Sequence, residues 1–350
     1  MSTEDNSSAG LARHPRPARS GARAVAIVLA ALLNLSIIAG GVWALTNQQR
    51  IADQFVVWQF EPSTAVARYV TEASMSGEGE FLFYASQPAI QSNPTFNSTC
   101  ANVEEDFGVL GCYFPGEKLI YLFDVKDDRL AGIEAVVAAH EMLHAAWDRI
   151  SAAERTRLTP LLEAEAERLT DDPEFSATLE FYAKTQPGER SNELHSIIGT
   201  EFSDVAPELK QYYARYFLDR SAVVALHEKS NVVFTAQRDA SKKLVSELDD
   251  LRVGIDADYD SYNAGYDRLN GDIDSFNARA DAGEFNSVAQ FNQERAALIE
   301  RQGVLNALYA AIDTDVAVYD QMVVELEALN ATIGELNTSI NIEPRSDTGL

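Results

Sequence analysis

The sequence predicts a mostly helical α+β protein: a small sheet, an apolar N-terminal helix and a C-terminal antiparallel helical hairpin. Three observations carry that expectation. No charged residue occurs from Ala24 to Leu45. The aromatic and β-branched run Leu119–Phe123 follows a Pro115-Gly116 turn and precedes a helical pattern, as in a mixed domain. After Pro207 no proline recurs until Pro344, while apolar residues fall at heptad spacing.

Residues 1–23 form a basic polar tail with Arg13, Arg16, Arg19 and Arg23. The run 24–45 is broken only by Asn34 and Ser36, and a helix crossing a bilayer core needs about 20 residues. Only Arg50 lies shortly beyond it. The positive-inside bias therefore keeps the N-terminus cytoplasmic and puts everything from about residue 47 outside. A cleaved signal peptide is the rival reading, with Val42-Trp43-Ala44 at the cleavage-relevant positions. Its apolar core would be roughly 7–15 residues, shorter than this run, so a single-pass anchor in the cell membrane is expected.

Composition narrows the function. The 350 residues are 46% hydrophobic, ordinary for a globular chain. The net charge of −26, from 54 acidic and 28 basic residues, argues against nucleic acid, which needs clustered Lys and Arg to replace phosphate counterions. Cys100 and Cys112 are the only cysteines; they lack metal-site spacing and can close a small disulfide loop in an oxidising compartment.

Along the outer region, 51–75 reads as a juxtamembrane helix, with Ala65, Val66, Tyr69 and Val70 at helical spacing after Pro62-Ser63-Thr64. Glu80–Tyr84 reads as a strand, then a Ser/Asn/Pro/Gln-rich loop leads to the cysteines. Leu119–Phe123 is the strongest strand signal. Helices follow over 132–150, 152–170, 174–185 and 191–203, punctuated by Pro173, Pro187 and Pro207. The globular domain is thus expected over 47–205 and the hairpin over 206–340, with a loose tail at 341–350. One seam runs Leu244, Leu248, Leu251, Ile255, Tyr259, Tyr262, Tyr266, Leu269, Ile273, Phe276, with a single four-residue stutter. Ala280–Gly283 breaks it. A second runs Leu298, Leu305, Tyr309, Ile312, Val316, Tyr319, Val323, Leu326, with Ile333 beyond. The pair should fold back as an antiparallel coiled coil, and the same seams offer a surface for homo-oligomers.

The chemistry lies in His140-Glu141-Met142-Leu143-His144, an H-E-x-x-H motif whose flanks from Ala135 to Trp147 are otherwise uncharged. Four residues apart on a helix, His140 and His144 share a face and reach one zinc ion, while Glu141 stands beside it as general base toward an activated water. Burying that glutamate without a partner would be costly, which argues against two ordinary core histidines.

In this motif the chain resembles the zincin metallopeptidases, over residues 115–205. The resemblance implies a zincin-like metallopeptidase domain holding one Zn2+ per chain and hydrolysing peptide or protein substrates. It also implies that Leu119–Phe123, with Ile120, Tyr121 and Leu122, is the edge strand along which substrate lies. The further histidine of the metzincin branch is absent after His144. Asn192-Glu193-Leu194-His195-Ser196 is similar to the Asn-Glu-x-x-Ser segment of the gluzincin branch, which makes Glu193 the first choice of third ligand. Glu201 and His195 are alternatives in the same ligand-rich stretch. The family's Asp after that Ser is missing, so the partner that orients the histidines stays unassigned. His195, Tyr212 and Tyr213 are candidates for oxyanion stabilisation. Asp148 either orients a ligand or forms a surface ion pair, the second being favoured because charged residues at helix ends usually face water. The rival function is a coiled-coil surface scaffold with an inert peptidase-like domain. A third is that the hairpin regulates the peptidase.

Overall fold

A computed structural model of the chain describes Gly10 and residues 20–100, 110–185 and 188–340. Most of the basic tail and the whole of 341–350 lie outside the described residues. Two units emerge, divided between Gln59 and Phe60.

The first unit contains α1 (Ser20–Thr46) and α2 (Gln48–Gln59). Residues 24–46 of α1, with a mean hydropathy of 2.4, are long and apolar enough to cross a membrane, and none is buried in protein. Asn34 and Ser36 turn their polar groups back onto Ala30 O and Leu32 O, at 2.7 and 2.9 Å, which satisfies them within the helix.

The helix expected over 51–75 is interrupted. α2 ends at Gln59, and α3 (Thr64–Glu72) starts anew because Pro62 cannot continue a ladder and Ser63 caps the next helix by accepting from Val66 N. Glu80–Tyr84, expected as a strand, lies in α4 (Gly77–Ala85). The aromatic run misleads; Ser76 accepts from Glu78 N and Gly79 N, and Glu78 and Glu80 complement the helix dipole in the first turn. Leu82 and Phe83, neighbours in sequence, are both buried.

β1 (Ala89–Gln91), α5 (Asn93–Thr99), β2 (Gly111–Phe114) and β3 (Leu119–Phe123) follow. They give a three-stranded sheet ordered β1-β3-β2, with β1 parallel to β3 and β2 antiparallel to it. Leu119–Phe123 is therefore a strand but not an edge strand. Ile120 and Leu122 are buried between neighbours on both sides, with Ile120 opposite Tyr113 and Leu122 opposite both Gly111 and Ile90. The edges of the sheet are β1 and the longer β2. The latter is tied down by the Cys100–Cys112 disulfide, which joins the close of α5 to β2.

After a short 3-10 turn at Asp128–Leu130 come α6 (Ile133–Arg149), α7 (Ala152–Arg168), α8 (Pro173–Thr185), α9 (Arg190–Thr200) and α10 (Pro207–Tyr213). Helix α6 starts at Gly132, whose φ of +105° favours glycine. Nine apolar residues of α6 are buried, Met142, Leu143 and Trp147 the largest. Full burial of side chains of that size stabilises by about 1.5–3 kcal/mol each. Helices α3, α4, α7, α8, α9 and α10 surround it in one core.

The hairpin consists of α11 (Arg220–Asp281) and α12 (Val288–Ser339). Its start, expected at 206, is displaced to Arg220, because Leu209, Tyr212, Tyr213 and Tyr216 belong to the core around α6. The expected seam faces inward at Leu248, Ile255, Leu269, Phe276 and Ile312, whereas Tyr266 and Tyr309 stand at its exposed rim. Arg301 Nη1 bonds Asp272 Oδ2 at 2.6 Å and Arg279 Nη1 bonds Glu294 Oε2 at 2.7 Å, fixing the antiparallel register. At the root, Leu336 and Ile340 return to pack with Cys100, Cys112 and Phe123, partly covered by Val233 and Phe234 of α11.

The disulfide closes a loop of 12 residues of sequence separation, so Cys100→Ser should lower stability by about 3 kcal/mol. The check is the chemical-unfolding midpoint with and without reductant: the variant should match the reduced native chain.

Candidate metal centre

Three side chains converge. His140 Nε2 and His144 Nε2 lie 3.0 Å apart on one face of α6, as a four-residue step on a helix requires. Glu193 Oε2, from α9, stands 3.9 Å from the first and 3.7 Å from the second. Atoms bound tetrahedrally at the usual 2.0–2.1 Å around zinc are about 3.3 Å apart, a value that the three separations bracket. The set His140, His144 and Glu193 is thus able to hold a metal ion.

Its electrostatics suit a cation. Burial pushes the His140 imidazole well below its ordinary pKa, helped by the neighbouring charge of His144 and then of His195 and His227. A neutral imidazole keeps a lone pair for a metal. Burial holds the Glu193 carboxyl above its ordinary range, with Glu189 adding to the shift and His144 opposing it. Two imidazole nitrogens and a buried carboxylate oxygen are a donor set that a divalent ion compensates.

His144 is oriented from behind. Its Nδ1 lies 3.0 Å from Asn192 Oδ1 and 3.2 Å from Ser196 Oγ. With Nδ1–H donating to Asn192, the Nε2 lone pair is directed at the shared point. The partner left open by the missing Asp is therefore Asn192, the residue immediately before Glu193. Sequence pattern marked Asn192 only as part of the motif, without a role.

Glu141 is 1% exposed, buried beside this point. It presses on β2, since a Cβ added to Gly111 would come within 2.6 Å of Glu141 Oε1 and of Val137 Cγ1. Only a glycine lets the strand pass so close to the carboxylate. Tyr113 of the same strand donates to Asp148 Oδ2 at 2.9 Å, and Lys118 Nζ meets that oxygen at 2.6 Å. Asp148 thus makes the favoured ion pair, and it clamps the strand turn to the end of α6. Arg149 Nη1 adds a bond to Tyr113 Oη at 3.1 Å.

The alternative ligands lie elsewhere. His195 follows Glu193 by two residues, about 200° around the helix, and points into the core. Its ring packs on Trp147 and its Nε2 lies 3.0 Å from Tyr212 Oη. Burial depresses it to about 3, which keeps it neutral. Glu201 pairs instead with His227 Nε2 of α11, at 3.9 Å. Tyr212 faces His195 and Tyr216, and Tyr213 donates to His195 O at 2.8 Å. Both tyrosines therefore pack behind the metal ligands. Helix α9 can approach α6 this closely because Gly199 faces Leu143, where a Cβ would come within 2.4 Å of Leu143 Cδ1.

Comparison with protein-family models, with curated proteins and with solved structures finds no match.

Loss of the orienting amide in Asn192→Ala should weaken affinity for a divalent metal ion about 10–100-fold while the fold is kept. Competition with a chromophoric chelator measures this, and an affinity equal to that of the unaltered protein would remove the orienting role.

Proposed function

We propose that this protein is a membrane-anchored zinc metalloendopeptidase with a zincin-like catalytic domain outside the cytoplasm. The observation that carries the reading is the convergence of His140, His144 and Glu193 beside the buried Glu141. His140, His144 and Glu193 would hold zinc, which when bound would supply a Lewis acid to polarise a peptide carbonyl and acidify water.

Glu141, buried next to the ligands, is the general base: its carboxylate takes the proton from the attacking water and then delivers it to the leaving amine. Asn192 keeps His144 in the tautomer that ligates. The extended substrate lies along β2, whose pairing among the described residues is to β3 alone and which brings Gly111 against Glu141.

The anchor and topology rest on α1 and its basic flank, which favours a cytoplasmic N-terminus. The disulfide supports an oxidising location for the catalytic domain. Peptide or protein is the substrate class, and the hairpin offers a surface for pairing between copies.

The test uses the full chain in detergent micelles, with zinc measured per chain and hydrolysis followed on a mixed peptide pool. Glu141→Gln should retain zinc and lose about 10²–10⁴-fold in kcat/KM. Glu193→Gln should lose zinc. Zinc bound without hydrolysis by the unaltered protein would turn the reading to the inert scaffold, and no zinc at all would remove the metal site.

A further inference from the structure

The hairpin is joined to the core by an arrangement that the chemistry above does not explain. The first residue of α11, Arg220, spreads its guanidinium over the end of α9. Its Nη1 donates to Ile198 O at 3.2 Å, Gly199 O at 3.4 Å and Phe202 O at 2.6 Å, and its Nη2 to Ser203 O at 2.9 Å. The same group lies over the Tyr213 ring, 5.9 Å from its centre, and Tyr213 in turn donates to His195 O of α9 at 2.8 Å.

Ile198 and Gly199 lie in the last turn of α9, where the dipole is negative and the last four carbonyls have no partner within the helix, while Phe202 and Ser203 lie just beyond its end. A planar cation with five donors fits such a cluster as no other side chain does. Two turns further along α11, the contacts turn to the other ligand-bearing helix. Lys229 Nζ donates to Ala131 O at 3.0 Å, just before α6, and Leu226 covers Gly132, where a Cβ would meet its Cδ2 at 2.7 Å. One continuous helix therefore grips the end of the element that supplies Glu193 and the start of the element that supplies His140 and His144.

We propose that Arg220 is a positioning residue for the metal site, fixing α9 along its axis so that the Glu193 carboxylate stays close enough to the histidine pair, 3.9 and 3.7 Å, to share one metal ion with it. This rests on the reading that the triad binds zinc. Glu193 sits on α9 between Asn192, which holds His144, and the Arg220-bound carbonyls, which hold the helix end. Sliding of α9 is thus opposed at both sides of the ligand.

Zinc affinity of the detergent-solubilised full chain is measured by chelator competition, and the Co2+-substituted protein gives a visible spectrum that reports ligand geometry. Arg220→Met should weaken zinc about 10-fold or more and alter the Co2+ spectrum. Arg220→Lys, which keeps the charge but cannot span four carbonyls, should recover part of the affinity. Arg279→Met, which removes the guanidinium that bonds Glu294 and covers Phe285 at the far end of the hairpin, should leave both readouts unchanged.

Unaltered affinity and spectrum in Arg220→Met overturn the proposal. So does an equal loss in Arg279→Met, which marks general destabilisation. Should Arg220→Met fail to fold, Arg220→Lys decides: a severalfold loss with a changed spectrum supports the role, and wild-type values refute it. If the unaltered protein binds no metal, the metal-site reading itself falls and the positioning role with it. Metal in the unaltered protein with unchanged variants refutes the positioning role alone.

Discussion

Everything distinctive about this structure depends on how closely α9 packs against α6. Gly199 presents no side chain to Leu143, so the Leu143 side chain packs directly on the α9 backbone, and that approach brings Glu193 to the face bearing His140 and His144. A single methyl group at Gly199 would meet both Leu143 and Tyr213. Unlike a loop-borne ligand, a carboxylate on a rigid helix held at this distance is set in place before any metal arrives, so little ordering is left for binding to accomplish.

That rigidity carries an electrostatic cost. Glu141 and Glu193 are both buried, and a carboxylate removed from water is destabilising unless other groups compensate it. The surroundings oppose this with apolar burial: α6 alone contributes nine buried apolar residues, and α9 adds Leu194, Ile197 and Ile198. At about 1.5–3 kcal/mol for each large side chain, a core of this extent can support a few unfavourable groups in its interior. The net charge of −26 is by contrast mostly a property of the exposed surface, including that of the hairpin, and takes no part in the site.

Features governed by neighbours in sequence were legible, and features governed by distant contacts were not. The two histidines and Glu141 lie within five residues, so helix geometry alone put them together. The hairpin announced itself through a repeat sustained over many turns and through the break near Gly283. Glu193 was reachable through the resemblance of its flanking residues. Glu80–Tyr84 failed because a capping serine and two first-turn glutamates outweigh β propensity once Leu82 and Phe83 are packed. The edge strand was misplaced for a related reason. The strongest strand signal belongs to the central strand, while the edges, β1 and β2, are short and carry little pattern of their own. Asn192 as partner of His144 and Arg220 as clamp of α9 depend on tertiary contacts across 48 residues and about 20 residues of chain respectively, and no local pattern encodes them.

The first turns of α11 pack on the core as far as Val233 and Phe234, beside which α12 returns at Leu336 and Ile340, against the same side as the disulfide. Departure and return are therefore adjacent, and the two helices, core-packed turns included, run for 62 and 52 residues, about 93 and 78 Å. A matched pair of heptads added to or removed from the distal part would change the reach by about 10 Å and leave the root where it is. Reach and chemistry are thus separable variables in this architecture. The distal arms can lengthen or shorten without a single compensating change around His140, His144 and Glu193.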